Sequence, residues 1–209
     1  MKFFAFLSLF VSLVFTQDSP NVYWNSLATD VTVGVPLVDD ATLIGGRIQI
    51  KVSFNGGKSY EEMGEIFTIE KSDIDDLKNV SVPAGVFEAM SGFSEGGKAQ
   101  FIAKVWDRAG NSIEGAVGDS VLSIDETVPT LISLKIISSN EKKNLAMPGD
   151  SIIFDLVTSE PIKKPKFEIN GESYNDGAVG VEKSWKLIYS ADEADDGPIS
   201  FEINFMDLA

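Results

Sequence analysis

Apolar residues recur at every second position in short runs along the chain, and no stretch sustains the three-to-four-residue period of a helix. Between Arg47 and Phe54, the residues Ile48, Ile50, Val52 and Phe54 share one face while Gln49, Lys51 and Ser53 share the other. Asn55-Gly56-Gly57 follows, a sequence suited to the positive backbone angles of a tight hairpin turn. The same alternation returns in Ile132, Leu134 and Ile136, in Ile152, Phe154 and Leu156, in Trp185, Leu187 and Tyr189, and in Ile199, Phe201, Ile203 and Phe205. Each set is the inward face of a half-buried antiparallel strand, so the predicted fold class is all-β. Only Lys71–Lys78 suits a helical turn, with Ser72 placed to cap it, and it is too short to change the class.

The alternating runs repeat on a longer scale. Gly97 to Ala109 aligns without gaps on Gly197 to Ala209, sharing a glycine, a phenylalanine, an apolar pair and Asp-x-Ala. Gly46 to Val52 aligns in the same way on Asp150 to Leu156. A period of roughly a hundred residues means two copies of one module. Between the copies lies Ser123-Ile124-Asp125-Glu126-Thr127-Val128-Pro129-Thr130, in which the proline holds its neighbour extended and the acids stay solvated. The boundary is placed near Asp125, giving a first module over residues 18–124 and a second over 125–209.

The N-terminus has a different pattern. Lys2 precedes an apolar run from Phe3 to Phe15, broken only by Ser8 and Ser12, and Thr16-Gln17 leads into Asp18. A charged start and an apolar middle shorter than the roughly 20 residues of a bilayer span are the marks of a cleaved secretory signal, here residues 1–17. No later segment is apolar enough for a membrane span, so no membrane insertion of the mature chain is expected.

Several landmarks occur in order in the second module: Asp125 to Thr130, Gly149-Asp150-x-Ile152, Ser159-Glu160-Pro161-Ile162, Trp185 and Tyr189, Asp196-Gly197-x-Ile199-x-Phe201, and Asp207-x-Ala209. In this the chain resembles the bacterial Ig-like repeat domains of large cell-surface and adhesin-like proteins. The first module is divergent and shares only the Ile48 strand and the closing stretch Phe101 to Asn111. The resemblance implies two tandem immunoglobulin-like β-sandwiches. Repeats of this kind end Asp-x-Ala-Gly-Asn, as Asp107 to Asn111 does in full, whereas the second module stops at Ala209, without the strand that the first continues through Val121 to Ile124. The expectation is a C-terminally truncated copy from a longer multi-repeat protein.

Composition removes most chemistry. With no histidine and no cysteine, the chain lacks the nucleophile pairs of hydrolases and the imidazole or thiolate ligands of zinc, copper or haem. No carboxylate spacing singles out an acid-base pair and no glycine-rich phosphate loop opens a helix, so no enzymatic activity is expected. The net charge of −15 repels nucleic acid and anionic membranes.

Two readings of the acidic residues stay open. In Asp107-Arg108-Ala109-Gly110-Asn111 the aspartate can simply accept backbone N–H groups of its own turn. Alternatively Asp107, Asp125 and Glu126 supply hard oxygen ligands for calcium at the module junction, the only cofactor the chain suggests. The run Asp192 to Gly197 reads as a solvated turn. Trp106, out of phase with Phe101, Ala103 and Val105, belongs on the opposite sheet face. Tyr23 and Trp24 form either a core anchor or a sugar-stacking platform. The functional expectation is a secreted or cell-surface, non-catalytic stalk or adhesion repeat whose partner is an extracellular protein or glycan, with accessory domains of a secreted hydrolase as the alternative.

Overall fold

The computed structural model describes residues 12–13, 22–118, 120–193, 195 and 197–209. All of the expected export signal except Ser12 and Leu13 therefore lies outside the described residues. The chain falls into two compact units, one ending at Thr127 and one running from Val128 to Leu208, called modules 1 and 2 below.

Module 1 contains β1 (Ser12–Leu13), β2 (Val22–Trp24), β3 (Asp30–Leu37), β4 (Arg47–Ser53), β5 (Glu61–Thr68) and β6 (Asp76–Pro83), then a one-turn helix α1 (Ala84–Glu88), then β7 (Lys98–Trp106), β8 (Ser112–Glu114) and β9 (Leu122–Ile124). One sheet has the order β1-β3-β6 and the other β2-β9-β7-β4-β5, with β8 also on β7. All pairings are antiparallel except β2 with β9. The immunoglobulin order sets strands B and E against C, F and G, and this connectivity assigns those places to β3, β6, β4, β7 and β8–β9, while β1 falls within the expected export signal.

Alternation explains the core. Val31, Val33, Val35 and Leu37 of β3 and Val80 and Val82 of β6 pack with Ile48, Ile50 and Val52 of β4 and Phe101, Ala103 and Val105 of β7. The predicted face of the Ile48 strand is thus buried as expected. Gln49, on the face assigned to polar residues, is buried as well. It sits where the β4–β5 register shifts between Ile48 and Ile50, and its Nε2 donates to the carbonyls of Met63 (3.0 Å) and Ile50 (3.1 Å). A bulge leaves carbonyls that the ladder does not use, and the amide satisfies them.

Phe87 of α1 is the hub of an aromatic cluster, with ring centroids 4.9 Å from Trp24, 5.3 Å from Phe93, 5.8 Å from Phe54 and 5.9 Å from Phe101. Trp24 is fully buried, so its place is the core and not a sugar platform. Trp106 lies on the outer face, between the Arg47 guanidinium (5.3 Å) and the Lys104 ammonium (5.0 Å). The anticipated turn at Lys71–Lys78 is a short 3-10 segment over Lys71–Asp73. Its N-cap is Glu70 and not Ser72, and the Glu70 N–H donates to the Asp73 carboxylate at 2.8 Å in a capping box.

Module 2 contains β10 (Leu131–Ser138), β11 (Ser151–Thr158), β12 (Lys166–Ile169), β13 (Glu172–Ser173), β14 (Val179–Val181), β15 (Ser184–Ser190) and β16 (Phe201–Asn204). Its sheets are β10-β11-β15-β14 and β13-β12-β16. These match strands A, B, E and D on one side and C and F on the other. Ile152 and Phe154 of β11, Leu187 and Tyr189 of β15, and Phe167 and Ile169 of β12 form the core. The predicted inward set of β10 differs: Ile132 and Ile136 are exposed and Leu134 is half-buried, although Leu134 and Ile136 are registered opposite the buried Leu156 and Phe154. They face inward, but little covers them. Both modules are all-β immunoglobulin-like sandwiches.

Two classes of substitution separate packing from backbone fit. Phe87→Ala should cost about 3–5 kcal/mol in urea unfolding, because it empties the hub of the cluster. Gly46→Ala should also destabilise, since a Cβ there would lie 2.1 Å from the Trp106 carbonyl oxygen, whereas Gly85→Ala in α1 meets no atom within 4 Å and should be neutral or stabilising.

Candidate functional site

Three carboxylates in module loops have their own chain wrapped round them. Asp107 accepts the Asn111 N–H at 2.8 Å and its side-chain amide at 2.7 Å, and Gly110 takes the positive φ of 91° that the turn requires. The Asn111 amide, helped by backbone N–H groups, holds the Asp107 carboxyl below its ordinary pKa. Asp150 accepts from the Asn140 amide (2.8 Å), the Met147 N–H (2.8 Å) and the Ser139 hydroxyl (3.1 Å), which ties the loop after β10 to the start of β11. Its pKa is lowered, chiefly by Asn140.

Asp195 ties its own corner to the end of β15 and to the turn after β12. It accepts the Tyr189 hydroxyl at 2.6 Å, the Asn170 amide at 2.6 Å and the Asp192 N–H at 3.0 Å. These bonds, led by that from Tyr189, lower its pKa, while burial and the adjoining carboxylate push the Tyr189 phenol above its usual value. The acidic run at Asp192–Gly197 is therefore an organised corner, not simply a solvated turn, although Ala194 and Asp196 lie outside the described residues. No spacing signal announces it.

The calcium candidates occupy different settings. Asp107 is held by its own turn, the Asp125 N–H donates to the Trp24 carbonyl (2.8 Å), and the Glu126 N–H donates to the Glu95 carboxylate (2.8 Å). Among the described residues, no group of three or more acidic side chains is placed to hold a metal ion.

Module 2 also carries a groove of about 820 Å³, lined by Ile136, Leu145, Met147, Phe154, Ile199 and Phe201, with Asp192 and Glu193 among its acidic residues. Its walls come from β10 and β11 of one sheet, β16 of the other, and the loops beside them. Phe201 packs edge-on against Phe154, with centroids 5.5 Å apart, yet remains 44% exposed. Alternation alone marks these residues as core and gives no sign of the opening.

No protein-family model matches the chain, and no curated protein matches it. A chain in a crystal structure of chicken TCR matches over 88% of this chain and 90% of its own length, at 11% identity and a TM-score of 0.35. The immunoglobulin-like fold rests on strand order and two-layer packing, not on that likeness.

Because the loop carboxylates have lowered pKa values, their stabilisation is complete above the unfolded value of about 3.9 and is lost as pH falls through the folded values. Urea midpoints taken from pH 7 down to pH 3 should fall at the acid end. Asp150→Asn should flatten part of that fall, and an unchanged acid slope would contradict the role given to Asp150.

Proposed function

We propose that the chain is a non-catalytic, exported pair of immunoglobulin-like modules that serves as a spacer or adhesion element of a cell-surface or secreted protein, in the manner of the bacterial Ig-like repeats its second module resembles. The observation that carries this reading is the state of the polar side chains. Asp107, Asp150 and Asp195 accept hydrogen bonds from their own loops, and so act as fasteners of turns. The apolar stretch before Asp18 supports export, and the charge of −15 suits a module kept soluble outside the cell. The partner is then an extracellular protein or glycan met by the surface of the modules.

Fractionation of cells expressing the gene from its own start codon, with N-terminal sequencing of the product, tests this directly. Recovery outside the cytoplasm with a new N-terminus near Asp18 is expected. A cytoplasmic product that retains the Phe3–Phe15 stretch contradicts it.

A further inference from the structure

Several asparagines of this chain hold turns and loops together. Asn55, Asn111, Asn140 and Asn170 each do so through side-chain hydrogen bonds. Asn79 is different. It sits in the middle of β6, a setting that disfavours asparagine, its side chain is exposed, and among the described residues nothing hydrogen-bonds to its amide group. Of all the asparagines, only this one has the spacing of an N-glycosylation acceptor, as Asn79-Val80-Ser81. The strand directs the three residues as that modification needs. Val80 faces inward and is buried opposite Val33, while Asn79 and Ser81 face outward. Asn79 is registered opposite Gly34, which has no side chain to crowd a group on the amide, and Ser81 opposite Thr32. Pro36 and Leu77, opposite each other, extend the same outward face, and Leu77 is 39% exposed. None of these outward residues is charged, in a chain where 23% of residues are. Gly34 and Pro36 weaken a strand interior, and a flat, neutral face beside Asn79 gives them a reason.

We propose that Asn79 is an N-glycosylation acceptor, modified as the chain is exported. The donor is an oligosaccharide carried on a polyprenyl diphosphate. A bond forms between the Asn79 Nδ2 and the anomeric carbon of the first sugar, and the C–O bond from that carbon to the carrier breaks. The diphosphate leaves with the bonding pair, and one amide proton passes to a base. Ser81 supplies the hydroxyl that the acceptor sequence requires two residues on. In the folded chain the first sugars have room over Gly34 and beside Pro36 and Leu77. Among the described residues β6 is the last strand of its sheet, so a bulky hydrophilic group on it also shields that edge from other chains. The proposal rests on the export proposed above, since the lipid-linked donor is met only where the chain crosses a membrane.

The test is mass spectrometry of the chain purified from its own cells, read on the peptide that contains Asn79, with N-terminal sequencing of the same sample. The expected peptide is heavier by whole sugar residues, and an amidase specific for glycosylated asparagine removes that mass and leaves an aspartate in its place. Asn79→Gln and Ser81→Ala should each abolish the added mass, and Ser81→Thr should keep it. All three alter exposed positions and should leave the chain folded. An exported chain with a new N-terminus near Asp18 and an unmodified Asn79 peptide overturns this proposal and leaves the export reading standing. A cytoplasmic chain with Phe3–Phe15 intact overturns both. Sugar that survives Ser81→Ala is attached by other chemistry and also overturns the proposal.

Discussion

Every β-strand carries hydrogen-bonding groups on both sides, and a sheet must either cover its last row or leave it open. That constraint governs both modules. In module 1 the row beyond β7 is covered by β8, β9 and the N–H groups of Gly115 and Gly118 between them, and β2 then runs parallel to β9. With that side covered, Trp24, Phe87 and Phe101 of the aromatic cluster are fully buried, and Phe54 and Phe93 pack at its margin. In module 2 no strand among the described residues lies beyond β16, and the same inward-facing pattern yields half-covered side chains at Phe201, Ile136 and Leu134.

Closure of the sheets also sets what the acidic residues do. Turns between strands leave backbone N–H groups that no ladder uses, and aspartates are the nearest acceptors. Asp107 fastens the turn from β7 to β8, Asp150 the loop from β10 to β11, and Asp195 the corner after β15. The negative charge of the chain is thus partly structural, with each bonded carboxylate held in its ionised form by the loop it organises. In a chain without cysteine, such fasteners and the two apolar cores take the place that disulfides hold in many exported sandwiches.

The strands that were legible in sequence are those with one clean apolar face, such as β4, β11 and β15, because a period of two survives wherever one side is buried and the other wet. The β3 strand was harder to see, since Gly34 and Pro36 interrupt its valines and both residues argue against a strand interior. Helix α1 has five residues and no period, and only the buried Phe87 explains it. Gln49 was placed on the polar face because a bulge in the partner strand leaves no trace in its own sequence. The repeat aligns Phe101 with Phe201, and alternation puts Phe201 on an inward face. Burial depends on neighbours brought from elsewhere in the chain, and β9 has no described counterpart beside β16. The acidic corner at Asp195 brings Asn170 to the local stretch of Tyr189 and Asp192, a meeting that only the folded sheets create.

The central claim is that, among the described residues, one strand plan is closed in module 1 and has an uncovered edge at β16 in module 2. Amide hydrogen exchange followed residue by residue tests it most directly, because protection reports whether a backbone row is covered. The account predicts slow exchange through Phe101 and Ala103 in β7, comparable with the core of module 1, and near-unprotected exchange at Phe201 and Ile203 in β16. Equal, strong protection of Phe201 and Ile203 in the isolated chain would contradict it.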